Sequence, residues 1–232
     1  MSHYLVIAAS SAIGQAVVTS LEKQGDTVFT TARDKSKINP DMILDATDFD
    51  AVQEAFRMAG TIDGVVNCSG SLWLKPAHAT SKEQYQMVID ASLTTSFATV
   101  RAAGLSMKKG GAVVLISSAA AMTGLANHEA IAAAKAGIIG LAQSAAATYA
   151  SNGLRFNVVA PGMVESPLTA QLTSNEALLN ASKSMHVLGR IGKPNDIAQA
   201  ILFLLNPSND WITGQVIAVD GGLSRIRPKI KI

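Results

Sequence analysis

The residues best suited to chemistry begin in a short turn near the N-terminus. An apolar run, Tyr4-Leu5-Val6-Ile7-Ala8, passes directly into Ala8-Ala9-Ser10-Ser11-Ala12-Ile13-Gly14 and then into an amphipathic stretch from Ile13 to Lys23. A strand that turns straight into a helix aims backbone N–H groups and the positive helix end at one point, an arrangement that receives a pyrophosphate. Small residues at Ala8, Ser10, Ser11 and Gly14 let such a group approach, and both serine hydroxyls can donate to it. The same letters also suit an ordinary tight strand-to-helix turn, because one glycine stands where dinucleotide turns usually carry three. The next apolar run, Thr27-Val28-Phe29-Thr30, ends in Thr31-Ala32-Arg33-Asp34-Lys35. At that tip an acidic side chain would bind an adenosine ribose 2′-hydroxyl, whereas an arginine suits a 2′-phosphate. Arg33, with Lys35 nearby, favours NADP(H) over NAD(H); Asp34, one residue further on, argues the other way.

Those turns need a scaffold, and the remaining apolar runs supply one. Met42-Ile43-Leu44, Gly64-Val65-Val66-Asn67, Ala112 to Ile116, Arg155 to Val159 and Gln215 to Val219 read as further strands. Helical patterns fill the intervals, notably Glu83–Met107, Ala126–Ala150 and Asn195–Leu205. Strand-then-helix repetition implies a parallel sheet covered by helices on both faces. The expected fold is therefore a doubly wound, Rossmann-type α/β domain of seven parallel strands, with its ligand crevice at their carboxyl ends. No linker or composition break divides residues 1–232, so one domain is expected. The long segment 166–190, bracketed by Pro167 and Pro194 with weak helical character over Ser174–Lys183, reads as a substrate loop or lid.

Composition narrows the function classes. The 232 residues are 48% hydrophobic and 16% charged, with a formal net charge of +2. Lys and Arg are scattered, whereas a nucleic-acid binder would gather them on one face. The exception is Arg225-Ile226-Arg227-Pro228-Lys229-Ile230-Lys231, which reads as a solvated or subunit-contacting tail, with a nucleic-acid arm as the alternative. The single cysteine, Cys68, allows no intrachain disulfide and no Cys-based zinc site, and no metal is expected. Tyr4 to Ala9 is too short for a secretory segment, and no uncharged stretch suits a bilayer, so a cytoplasmic protein without membrane contact is expected.

Taken in order, several short motifs resemble the short-chain dehydrogenase/reductase family across nearly the whole chain. The family turn Thr-Gly-x-x-x-Gly-x-Gly is matched by Ile7-Ala8-Ala9-Ser10-Ser11-Ala12-Ile13-Gly14. Leu44-Asp45-Ala46-Thr47-Asp48 resembles the segment at the adenine edge, and Asn67-Cys68-Ser69-Gly70 stands for Asn-Asn-Ala-Gly. Ile116-Ser117-Ser118 is similar to the strand end that presents a catalytic serine, here Ser118. Asn157 to Gly162, with Val164 and Ser166, resembles the wall beside the nicotinamide. Leu188 to Asp196, Thr213-Gly214-Gln215 and Val219-Asp220-Gly221-Gly222 complete the C-terminal half. The resemblance implies cofactor contacts at Ala8, Ser10, Ser11, Ile13, Gly14, Arg33, Asp45, Ala46, Asn67, Ser69, Gly70, Lys135, Pro161, Gly162, Val164 and Ser166. It also implies a small-molecule substrate and a homotetramer or homodimer built on the helices over Glu83–Met107 and Ala126–Ala150.

The departures concern the reaction itself. The family uses a tyrosine as proton donor or acceptor, with a lysine four residues later; here Lys135 is retained but the tyrosine position is Ile131. Ser92 stands where an asparagine is usual. Tyr149, fourteen residues past Lys135, would lie about 21 Å along a helix, too far to share a proton. If the helix already covers Ala126, His128 shares a stripe with Ile131 and Lys135 and becomes a candidate donor; otherwise it is a partly exposed first-turn residue. Ser118 has a plainer reading as a local backbone partner, Lys135 as a surface lysine, and Cys68 as a small buried filler. Trp73, Leu74, His78 and Met163 line a pocket mouth or merely pack a loop. The expected function is an NADP(H)-dependent oxidoreductase acting on a carbonyl or secondary alcohol, with Ser118, Lys135 and His128 as catalytic candidates. The alternatives are a weak or inactive dinucleotide-binding protein and a non-redox enzyme on the same fold.

Overall fold

The computed structural model describes residues 1–227 of the chain, so the basic tail from Pro228 onward lies outside the described residues. The strands are β1 (His3–Ile7), β2 (Thr27–Ala32), β3 (Met42–Ile43), β4 (Gly64–Asn67), β5 (Gly111–Ile116), β6 (Leu154–Pro161) and β7 (Val216–Val219). They form one seven-stranded sheet in the order β3-β2-β1-β4-β5-β6-β7. Every pairing is parallel. The fold expected from the strand–helix alternation is the fold observed. Its strands read as unbroken apolar runs because helices bury both faces.

Successive residues of a strand point to opposite faces, and the core divides accordingly. Leu5, Ile7, Val113, Leu115, Phe156 and Val158 pack on one side, beneath α2 (Phe49–Ala59), α4 (Thr95–Ser106) and α5 (Glu129–Tyr149). Tyr4, Val6, Val114, Ile116 and Val159 pack on the other, beneath α1 (Ala12–Lys23) and α8 (Pro194–Leu205). After β1 the chain winds outward through β2 and β3, then returns to place β4 on the other side of β1. That reversal opens a crevice between the β1 and β4 tips, where Ile7 pairs with Asn67.

Two expectations are corrected. The single helix over Glu83–Met107 is instead α3 (Lys82–Ile89), a π-helical turn over Asp90–Thr94, and α4. The irregular turn falls on Ser92, buried with no partner for its hydroxyl among the described residues. The helix expected from Ala126 begins at Glu129, because Asn127 adopts a left-handed φ of 63° that ends any helical run there. Glu129–Asn152 is long and apolar enough by length and composition to cross a membrane, but it carries Glu129 and Lys135, and Ile138, Ala142, Ala145 and Ala146 join the core beneath the sheet.

The segment over 166–190 folds into a short turn at Pro167–Thr169, α6 (Ala170–Thr173) and α7 (Glu176–Met185), the last capped by Asn175 accepting from the Leu178 amide. Phe156 at the centre of β6 is fully buried and stacks on Tyr149 of α5, their centroids 5.6 Å apart. Phe156→Ala is expected to lower unfolding free energy by about 3–5 kcal/mol, measured by urea denaturation, with the sheet retained.

Candidate active site

The turn after β1 is shaped by one capping serine and one glycine. Ser11 caps α1, its hydroxyl accepting from the Gly14 amide at 3.0 Å. A Cβ at position 14 would stand 2.7 Å from the Ala8 carbonyl oxygen, so this close approach demands glycine. Ala8, where the family has glycine, holds a left-handed φ of 58°; that conformation costs an L-residue about 1–2 kcal/mol. The turn keeps its shape despite this cost.

Arg33 is exposed immediately beyond β2. Asp34 is turned away into its own loop, its carboxylate accepting from the amide and hydroxyl of Ser36. Asp45 accepts from the Thr47 amide at 2.9 Å and the Thr47 hydroxyl at 2.8 Å through one oxygen. Those bonds, aided by attraction to Arg33, hold its pKa below the ordinary carboxylate value. Ala46 is buried behind it. Asn67 departs from the expected role. Its amide donates to the Thr95 carbonyl and Thr99 hydroxyl, and its oxygen accepts from the Ser69 amide. The side chain is thereby committed to tying the β4 tip to α4 and shaping the loop toward Ser69 and Gly70, rather than to a ligand.

At the end of β5 two serines divide the work. Ser117 is buried and donates to the Lys135 carbonyl at 2.8 Å. Ser118 is partly exposed and accepts from the Ala120 amide at 3.2 Å, which leaves its O–H proton available to a ligand. Lys135 reaches back from α5 to donate to the Ile116 carbonyl at 2.8 Å, and only 5% of it is exposed. A Cβ at position 70 would stand 3.3 Å from its Nζ, so Gly70 leaves the ammonium room. Sequence reasoning missed Ser117, although it adjoins the serine that the motif singles out.

No carboxylate is bonded to this amine among the described hydrogen bonds and ion pairs. Desolvation therefore lowers its pKa to about 8, with a small opposing contribution from Cys68. Desolvation also pushes the thiol of Cys68, which is only partly buried, up to about 12.

Ile131, one turn before Lys135, is 4% exposed. It belongs to a small apolar cluster with Val88, Ala130 and Ala134, closed by Trp73, Leu74 and Ile89 and separate from both sheet faces. The three tyrosines lie elsewhere, at the start of β1 (Tyr4), on the exposed side of α3 (Tyr85) and against Phe156 (Tyr149). His128 is corrected. It precedes α5 with a non-helical φ of −111°, and its Nδ1 lies 2.7 Å from the Ala126 carbonyl. The stripe linking it to Ile131 and Lys135 therefore does not form. His78 is exposed in a separate short turn.

From the last residue of β6 onward, Pro161, Gly162, Val164 and Ser166 follow one another along the next wall. Ser166 accepts from the Thr169 amide at 3.3 Å, and the Thr169 hydroxyl donates to the Val164 carbonyl at 2.6 Å. His186, unremarked in the sequence, is buried against this wall. Among the described residues no group of three or more His, Cys, Asp or Glu side chains gathers to hold a metal ion.

The buried Lys135 ammonium opposes folding at neutral pH. Its folded pKa lies below the unfolded value near 10.5, so this penalty is full below about 8 and fades as pH rises towards 10.5. Lys135→Met should raise unfolding free energy at pH 7 by about 1–3 kcal/mol. The stability gap between variant and wild type should shrink above pH 8, as read by urea denaturation across pH.

Residues 7–224 match the family described as Enoyl-(Acyl carrier protein) reductase. The chain is 33% identical over 240 residues to the 3-oxoacyl-(acyl carrier protein) reductase FabG of Thermotoga maritima, covering 94% of this chain and 96% of that protein. It is 35% identical over 192 residues to the inactive 2-(S)-hydroxypropyl-CoM dehydrogenase 2 of Xanthobacter autotrophicus, covering 78% and 84% respectively. The solved structure of ElxO with NADP bound superposes with a TM-score of 0.89 at 28% identity, covering 96% of this chain and 99% of that one. Parallel sheet, crevice turn, Ser118 and Lys135 thus coincide with full-length similarity, and the chain belongs to the short-chain dehydrogenase/reductase family of nicotinamide-dependent oxidoreductases.

Proposed function

We propose that this protein is an NADP(H)-dependent oxidoreductase acting on a carbonyl or secondary alcohol, with an active site that works without the usual tyrosine. The observation that carries the reading is Lys135, drawn out of water to the β5 tip beside Ser117, Ser118 and Gly70. A surface lysine would not be so placed. The residues fit a dinucleotide: the turn over Ala8–Gly14 would take the pyrophosphate, Asp45 and Ala46 the adenine edge, and Lys135 the nicotinamide ribose. Pro161, Gly162, Val164 and Ser166 would form the nicotinamide wall. Bound there, the reduced dinucleotide supplies a hydride. Ser118 would donate its free O–H to the substrate oxygen and orient it. Proton delivery would fall to water held by the Lys135 amine, since His128 is turned into its loop.

Preference for the phosphorylated cofactor rests on Arg33. With one Asp34 oxygen bonded to Ser36, the exposed guanidinium, with Lys35 exposed beside it, would meet a 2′-phosphate. NADPH is expected to raise the melting temperature and show enhanced nicotinamide fluorescence at concentrations where NADH does neither. Arg33→Ala should weaken NADPH binding about tenfold or more and leave NADH unchanged. If neither nucleotide shifts the melt at millimolar concentration, the oxidoreductase reading fails.

One observation favours a second reading, a dinucleotide-binding protein with little turnover. Ile131 sits in an apolar cluster where an acid would be needed, and the similar Xanthobacter protein is described as inactive. General acid catalysis contributes roughly 10²–10⁴-fold. Ile131→Tyr should therefore raise carbonyl-reducing activity by about that factor in the first case, measured as NADPH oxidation against a panel of ketones. Exposed Phe97 and Leu105 on α4 support association of like subunits through this helix and α5, in a cytoplasmic enzyme that binds neither nucleic acid nor membrane.

A further inference from the structure

His186 lies just past the end of α7, with 3% of its surface exposed. Its Nδ1 is 2.6 Å from the Ser182 carbonyl one turn back. Its Nε2 accepts from the Met163 amide at 3.1 Å. A carbonyl can only accept and an amide N–H can only donate, so the two bonds together require a neutral ring with its proton on Nδ1. The contact is close: a Cβ on Gly162 would stand 2.6 Å from Nε2. Beyond the ring the chain is held again, the Leu188 amide donating to the Gly221 carbonyl at 3.1 Å and the Gly192 amide to the Met163 carbonyl at 2.8 Å. One imidazole thus joins the substrate loop, the segment after β6 and the end of β7.

The charges around it are few. Asp220, at the end of β7, is the carboxylate acting on the ring. Burial works against that carboxylate, but hydrogen bonds from Ser224 and the Gly222 amide, with attraction to His186, hold its pKa below the ordinary value. From α7 the ring meets the Ser182 carbonyl, and from the β6 end the Met163 backbone. Glu165 is exposed, and Arg190 is exposed and paired with Asp196.

We propose that His186 is a positioning residue that latches the substrate loop over 166–190 to the Pro161–Met163 wall through the Nε2 lone pair of its ring. The wall's identity as the nicotinamide side rests on the function proposed above. Loop order and pocket geometry are then one unit, joined at the Met163 amide.

Hydrogen exchange of the Met163 amide and the 166–190 amides, read in the full-length protein and corrected for intrinsic rates, tests this. Wild type should be protected, and His186→Leu should lose about tenfold or more of that protection. In His186→Gln the side-chain amide can offer N–H to Ser182 and oxygen to Met163, so protection should be restored. Full protection in the Leu variant, or a loss in the Gln variant as large as in the Leu variant, overturns the latch. NADPH titrations of the same proteins separate the two readings. Failure of every variant to bind NADPH, with the exchange pattern intact, removes the dinucleotide assignment and leaves the latch standing. Equal NADPH affinity and fluorescence in latched and unlatched proteins overturns its coupling to the pocket.

Discussion

The amine of Lys135, held out of water at the end of a parallel strand, is the interaction around which the crevice is arranged. It enters from α5, is met by the Ile116 carbonyl, and has its own carbonyl clamped by Ser117. Helix and strand tip are thereby locked at both ends of one residue. On the β4 side Gly70 leaves the ammonium room, since a Cβ there would stand 3.3 Å from Nζ. An isolated buried cation is costly, and among the described residues no carboxylate is bonded to it.

The surroundings of Ile131 work in the opposite direction. Trp73, Leu74, Val88 and Ile89 close over the isoleucine and exclude water from the place where proton transfer would be served by a phenol. Ser92, in the π-helical turn packed nearby in the chain, contributes a hydroxyl without a partner rather than a longer amide. The crevice therefore joins a polar floor, able to hold and orient a dinucleotide, to an apolar flank unable to supply an acid. Hydride transfer depends on the first and fast proton delivery on the second, which is why binding and turnover need separate measurement.

The wall opposite is organised by backbone rather than by charge. Thr169 holds the Val164 carbonyl, His186 holds the Met163 amide, and Gly162 makes room for the ring. A loop that carries Leu168, Leu178 and Met185 on its exposed side is thus attached to the pocket through very few bonds.

Much of this was legible before any coordinates. Unbroken apolar runs alternating with amphipathic stretches determine a parallel sheet, because only strands buried on both faces lack polar alternation. The small residues from Ala8 to Gly14 and the spacing of Ser118 and Lys135 pointed to the strand ends where the crevice lies. What sequence did not disclose were contacts made to backbone atoms. Asn67 is consumed by a carbonyl, an amide and a hydroxyl far along the chain. His128 is withdrawn by the left-handed turn at Asn127, and the helix breaks at Ser92 without glycine or proline to mark it. His186 owes its tautomer to an amide 23 residues distant. Every residue carries the same N–H and C=O groups, so a side chain that bonds them leaves no pattern in residue types. Only the tertiary structure decides which backbone group arrives.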